Sequence, residues 1–350
     1  MTAERVKMLD LRSDTVTHPT PEMYNAMMNA AVGDVVMGDD PTVNELERLG
    51  AELFGKEDCI FTASGTMSNQ IAVFAMTDRC DQIIAHDKSH IYNLERSGLG
   101  QISGVQVRAL KTEHGQYCME ELERNLIGDS IQSAPTTLIC LESTFNLNDG
   151  LVLDPKHIQD IVEIAKKYGV KTYMDGARIL NSCVASGIEP GQMVEGVDAV
   201  ALCLSKGLSC PIGSLLAGSS EFVNKAKKVR QMLGGGWRQG GVIAACGIEA
   251  LKDWKKHLEQ DHEKAKEIIS GVRLDERGKN IVFNNAETNI IRIGTSSFNM
   301  KAEKFAENMK DKGILVKVIE PFAVRIICHS DLHKEDIPVV IETILDCVGE

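Results

Sequence analysis

Seven short apolar runs, spaced by stretches of helical periodicity, occupy the chain between Pro21 and Gly236 and constrain its fold more than any other feature. They read "DCIFTAS" from Asp58, "DQIIAHD" from Asp81, "VQVRAL" from Val105, "TTLICLES" from Thr136, "VKTYMD" from Val170, "AVALCLS" from Ala199 and "SLLAGSS" from Ser214. Apolar, β-branched runs of this length between turn signals read as buried strands. The segments between them have a 3.6-residue period. In "DPKHIQDIVEIAKKYG", Ile158, Ile161, Val162 and Ala165 share one face and Gly169 ends the pattern. In "DDPTVNELERLGAELFG", Leu46, Leu49 and Leu53 are the expected buried side. Strands alternating with helices imply βαβ units, hence an α/β fold with a mostly parallel seven-stranded sheet.

Beyond "LGGGWRQGG" the texture changes. A long helical pattern runs from Val242 to about Ile269. Four strand-like runs come after it, "NIVF", "TNIIRIGT", "GILVKVIE" and "FAVRIICHS", with helices "KAEKFAENMKDKG" and "KEDIPVVIETILDCVG" between and after them. That is a small α+β unit. The expected division is an N-terminal arm over 1–20, a large domain over 21–254 and a small C-terminal domain over 255–350, the boundary lying inside the long helix.

The formal net charge of −12 leaves no basic face for nucleic acid. No apolar stretch approaches eighteen residues and the start lacks a signal-like apolar core, so a cytoplasmic, non-membrane protein is expected. Ten cysteines form no C-x-x-C pair, and Cys140, Cys203, Cys246 and Cys328 sit inside apolar runs, as small buried hydrophobes do. Nine histidines show no metal-binding spacing, and no metal is expected.

Two of the strand-like runs end on chemistry. "VKTYMD" closes on Asp175, and "AVALCLS" is followed at once by Lys206 and Gly207. Carboxyl ends of neighbouring strands in an open α/β sheet share one ligand crevice. A lysine there, desolvated, becomes a nucleophilic amine able to form a Schiff base with a carbonyl, pyridoxal phosphate (PLP) included. A buried carboxylate beside the pyridine nitrogen keeps that ring protonated and electron-withdrawing. Asp175 reads equally well as a helix N-cap, because "DGAR" precedes a helical stretch. Ser64–Gly65–Thr66, where a strand runs into a helix, suits a phosphate. His90, past another strand end, has a ring that can stack on a pyridine or pass protons. Arg178 and Arg325 supply guanidinium groups for a carboxylate, and Arg325 interrupts an apolar strand.

In order along the chain, "LDLRSDTVTHPTPEM", "GDDPTVNELE", "SGTMSNQ", "MDGAR", "CLSKGL" and "LGGGWRQGG" resemble the low-specificity threonine aldolases of the β-eliminating lyase group, with a weaker match at "VRIICH". The resemblance implies the aspartate-aminotransferase-like, PLP-dependent transferase fold (fold type I) with pyridoxal phosphate as cofactor. It also implies retro-aldol cleavage of L-threonine or L-allo-threonine to glycine and acetaldehyde. A racemase of amino acids such as alanine, or a β-eliminating lyase on the same cofactor, is the alternative. By resemblance, Lys206 is the Schiff-base lysine, Asp175 the pyridinium partner, Gly65 and Thr66 the phosphate site, and His90 the stacking ring. Ser13, Arg178 and Arg325 hold the substrate carboxylate. Arg238 reaches a neighbouring subunit's phosphate, which implies a homo-oligomer, a dimer or a dimer of dimers (homotetramer).

The chain departs from the family pattern at four places. Gln132 stands where the family has a histidine, which places it at the substrate. "ESTFN" replaces E-N-T-H-N with Ser143 and Phe145, Met37 replaces a tyrosine, and Trp237 a methionine. These departures imply a rebuilt substrate end.

Overall fold

The computed structural model describes residues 8–147 and 149–348. The chain packs as two units. Among the described residues, one comprises residues 8–18 together with 255–348, and the other comprises the described part of 19–254. The expected separate arm is therefore part of the small unit. Leu9–Asp10 forms strand β1, which pairs in parallel with a strand beyond residue 300, and Leu9 and Leu11 are buried in that unit's core.

In the larger unit, α1 (Pro21–Met28) and α2 (Pro41–Phe54) lead into β2 (Asp58–Thr62), α3 (Gly65–Met76), β3 (Gln82–His86), α4 (His90–Asn93) and β4 (Gln106–Leu110). A hairpin, β5 (Thr112–Glu113) with β6 (Gln116–Tyr117), and α5 (Met119–Arg124) precede β7 (Thr136–Glu142). Next come α6 (Pro155–Tyr168), β8 (Lys171–Asp175), α7 (Ile179–Ser186), α8 (Pro190–Met193), β9 (Ala199–Cys203), β10 (Ser214–Gly218), α9 (Ser220–Met232) and α10 (Gly241–Ala250). All seven expected strands join one sheet in the order β2-β10-β9-β8-β7-β3-β4. Only β10 runs antiparallel to its neighbours.

The sequence explains these elements locally. β3, β9 and β10 are buried along their whole length, which is why they read as unbroken apolar runs. β4, at the edge, alternates exposed and covered residues. Helix α2 starts at Asp40, whose carboxylate accepts from the Thr42 and Val43 amides, and ends at Gly55 in the left-handed conformation. Its fully buried face is Val43, Leu46, Gly50 and Phe54; Leu49 and Leu53 are only half-buried, so the apolar stripe sits one residue round from the expected one. Helices α3 and α9 share one core with the sheet through Ile71, Val73, Phe222, Val223, Ile83, Leu138 and Leu216.

The long helix expected from Val242 is two helices. α10 ends at Ala250 and α11 (Trp254–Leu274) begins after a three-residue break. The two halves serve different cores. α10 buries Ala244, Cys246 and Gly247 in the larger unit, whereas α11 buries Ala265, Ile268 and Val272 in the smaller.

The smaller unit adds β11 (Val282–Phe283), β12 (Ile290–Gly294), α12 (Ala302–Asp311), β13 (Ile314–Leu315), β14 (Lys317–Glu320), β15 (Ala323–Ile327) and α13 (Ile337–Val348). The run "GILVKVIE" is split. β13 pairs with β1, while β14 joins the antiparallel sheet β11-β12-β15-β14.

Candidate active site

Because only β10 is reversed, the carboxyl ends of the other six strands of the large sheet emerge at one edge. Four of those ends and the start of α3 surround a pocket of about 630 Å³, counting the open space at its mouth. Asp175, the last residue of β8, stands in register with Glu142 of β7 and Ala201 of β9. Two residues past Ala201, Cys203 lines the pocket, and Ser205 and Lys206 come next on the turn. Gly65 and Thr66 open α3 behind the N-cap Ser64, whose hydroxyl accepts from the Met67 amide. At Gly65 an added Cβ would lie 2.4 Å from Cys203 Sγ, so only glycine brings the helix start this close to the strand end.

The buried side chains form one hydrogen-bonded network. Asp175 (4% exposed) accepts from the Ala177 amide at 3.2 Å and from Asn69 Nδ2 at 2.9 Å. The same Asn69 amide group donates to Glu95 at 2.6 Å, and its Oδ1 accepts from Tyr173 Oη at 2.5 Å. Glu95 also accepts from Gln70 Nε2 at 2.7 Å and is joined to His90 Nδ1 at 2.9 Å. Glu142 accepts from the His90 amide at 2.7 Å and from the Asn146 amide at 3.0 Å. Arg178, also buried, reaches Asn146 Oδ1 at 3.4 Å.

Charge is crowded here. Burial and the adjacent Asp175 push the Glu142 carboxyl up to about 7, despite the two amides that favour its ionised form. His90 is raised above the ordinary histidine value, chiefly by its hydrogen bond to Glu95, with burial opposing and the carboxylates of Asp175, Glu95 and Glu142 adding to the rise. His90, Glu95 and Asp175 hold their ligand atoms within 4.8 Å of one another, but the hydrogen bonds through Asn69 account for that closeness without a metal.

Of the residues expected at the site, Gly65, Thr66, His90, Asp175, Arg178 and Lys206 line this one pocket. The N-cap alternative for Asp175 does not hold in full, since α7 begins only at Ile179, with Arg178 at its N-cap. Ser13 and Arg325 lie in the smaller unit. There Ser13 Oγ accepts from the Thr15 amide, and Arg325, buried on β15, reaches the carbonyl of Arg12, next to Ser13. The two are thus neighbours.

Gln132 does not line this pocket. It is exposed on the loop before β7, at the opposite end of that strand from the pocket, and a seven-residue strand spans roughly 20 Å. Arg238 is likewise outside the pocket, with its side chain 62% exposed and 3.3 Å from Asp34.

Nor do the other departures face the pocket. Phe145 is buried against His86, ring centroids 4.8 Å apart; Ser143 Oγ pairs with Ser182 Oγ at 2.7 Å; Trp237 packs edge-on against Phe61; Met37 is exposed. Asn69, Glu95, Glu142, Asn146 and Tyr173 were not anticipated. A signal existed for two of them: Asn69 lies one helical turn after Gly65, and Glu95 comes after His90 within one short segment.

These features fit PLP specifically. A helix start cleared of side chains suits its phosphate, a buried carboxylate with fixed donors suits a protonated ring nitrogen, and an amine suits its aldehyde. They mark an α/β lyase whose pocket suits pyridoxal phosphate. The chain belongs to the beta-eliminating lyase family, which its residues 10–295 match. It is similar to a probable low-specificity L-threonine aldolase 2 of Arabidopsis thaliana, 39% identical, covering 99% of this chain and 98% of the relative. The low specificity L-threonine aldolase of Escherichia coli K12 is 36% identical, covering 94% of this chain and 96% of that one. Among solved structures, a threonine aldolase of Leishmania major superposes with a TM-score of 0.83 at 17% identity, covering 97% and 99% of the two chains.

Proposed function

We propose that this protein cleaves the Cα–Cβ bond of L-threonine or L-allo-threonine, giving glycine and acetaldehyde. The observation that carries the reading is Asp175 and Lys206 on neighbouring strand ends, lining one pocket with the α3 start. Lys206 would carry the cofactor, Asp175 would hold its ring nitrogen, and Gly65 and Thr66 would take its phosphate. Bound there, the cofactor supplies an electron sink for the pair left on Cα when the Cα–Cβ bond breaks. Arg178, anchored through Asn146, would grip the substrate carboxylate, and Arg325 and Ser13 are proposed as further ligands of that group.

His90 would stack on the ring and take the β-hydroxyl proton. The O–H electron pair becomes the second bond of the aldehyde carbonyl, the Cα–Cβ pair stays with Cα, and solvent protonates Cα to give glycine. Gln132 has no part in this reading.

A homo-oligomer, dimeric or tetrameric, is part of the proposal. Arg238 is exposed, and Tyr24, Met28, Val32, Val36 and Met37 expose apolar side chains on and after α1. Among the described residues no helix is long and apolar enough to cross a membrane, and a cytoplasmic location is proposed. Incubating the pure protein with L-threonine, L-allo-threonine and L-alanine in heavy water tests the reaction. Glycine and acetaldehyde support it. Fast α-deuteration of alanine without cleavage of either β-hydroxy acid overturns it in favour of a racemase.

A further inference from the structure

The reaction proposed above needs a group that accepts a proton at one defined atom, and histidine has two ring nitrogens. Which nitrogen is available is set by what the other one bonds. His90 Nδ1 lies 2.9 Å from Glu95 Oε1, and the Glu95 side chain is fully buried. Glu95 does not swing freely, because Asn69 Nδ2 and Gln70 Nε2 donate to its two oxygens at 2.6 and 2.7 Å. Nor is the orientation of the Asn69 amide arbitrary. Tyr173 Oη donates to its Oδ1, which turns both amide hydrogens toward carboxylates, one to Glu95 and one to Asp175. A carboxylate only accepts, so the hydrogen between it and His90 belongs to Nδ1. His90, which lines the pocket with 30% of its side chain exposed, then has Nε2 as its proton-accepting atom.

We propose that Glu95, clamped by Asn69 and Gln70, is a positioning residue that fixes the His90 proton on Nδ1 and leaves Nε2 as the atom that takes the substrate's β-hydroxyl proton. The inference rests on the aldolase reading for the identity of the proton and on this geometry for everything else. Charged groups facing His90 come from several elements. They are Glu95 after α4, Glu142 at the end of β7 and Asp175 at the end of β8, while Arg178 and Lys206 line the same pocket. Of these, the Glu95 hydrogen bond is the largest influence on the ring.

Two substitutions push His90 in opposite directions. Glu95→Gln removes the anion, so the His90 titration moves to lower pH and the proton is no longer confined to Nδ1. Gln70→Leu removes a donor that competes for the Glu95 charge, so the titration moves to higher pH. It also removes the Gln70 Oε1, which is buried without a partner, so the fold should tolerate it. Both are read in the full-length, cofactor-free protein by ¹⁵N-histidine NMR, with His90→Asn identifying the resonance.

In the holoenzyme, Glu95→Gln should lower kcat by roughly tenfold or more with little change in KM. It should cost little further in a His90→Asn background. An unmoved His90 titration in folded Glu95→Gln, shifts of the same sign in both variants, or equal costs in both backgrounds would each overturn the proposal. Absence of cleavage with any β-hydroxy amino acid would instead defeat the aldolase reading, and the NMR titration would still decide the role of Glu95.

Discussion

Glu142 should make the cofactor-free protein lose stability as the solution becomes alkaline, and Glu142→Gln should remove that loss. The carboxyl is buried beside Asp175, and its pKa rises from about 4.5 to about 7. A raised folded-state value means the folded chain keeps a proton that the unfolded chain releases above pH 4.5. Stability from this group is therefore complete below pH 4.5 and is lost as pH rises through 7. At about 1.4 kcal/mol per pH unit, the loss between pH 4.5 and 8 is about 3 kcal/mol.

Glutamine carries no such pH dependence, but its NH₂ cannot accept from the His90 or Asn146 amide, which costs about 1–3 kcal/mol at every pH. The variant should thus be less stable than the parent at pH 4.5 and equal to it or better at pH 8. Urea unfolding monitored by tryptophan fluorescence at fixed protein concentration measures this, and Trp237, packed on Phe61, reports on the larger unit. The decisive quantity is the difference between variant and parent, in which the other titrating groups cancel. A difference that stays flat from pH 4.5 to 8 would refute the reasoning, because it would mean that the two amides hold Glu142 ionised throughout.

Particular contacts give three further expected outcomes. Borohydride treatment of the holoprotein and peptide mapping should tag Lys206 alone, and Lys206→Ala should abolish the tag; a tag on another lysine would remove Lys206 from the cofactor. Gly65→Ala should cost about 1–3 kcal/mol by overpacking against Cys203 Sγ and weaken the response of Tm to added cofactor, and Cys203→Ala in the same chain should restore much of both. His86, held down to about 3 by burial and the nearby His157, favours the fold only while neutral, so stability falls as pH drops below about 6.5; His86→Leu should gain on the parent by about 2 kcal/mol between pH 6.5 and 5 in the same urea assay.

The sheet was legible because its central strands are buried on both faces, which leaves unbroken apolar runs that no amphipathic helix imitates. Asp175 and Lys206 were legible because strand order and direction put their carboxyl ends on one edge. The β5–β6 hairpin was not. Its strands are two residues long, and its turn sets both His114 (φ 50°) and Gly115 (φ 77°) in the left-handed region, where histidine is an uncommon choice. The network around Glu95 was hidden for another reason. Its members come from α3, the segment after α4, and β8, so the hydrogen bonds exist only once the sheet has closed.

The departures from the family pattern show how nearness in sequence misleads. From the end of β7 onward, Glu142, Thr144 and Asn146 line the pocket while Ser143 and Phe145 point the other way. That pattern was not available from the sequence, because the strand ends at Glu142 and the residues after it follow a bend. Phe145 instead fills a buried site against His86, which itself stacks edge-on against Tyr117 at 4.1 Å. Gln132 lies away from this chain's pocket because of its place along β7. A residue before the amino end of a parallel strand lies a full strand length from a site built at the carboxyl ends. None of Ser143, Phe145, Met37, Trp237 and Gln132 lines the pocket formed by this one chain.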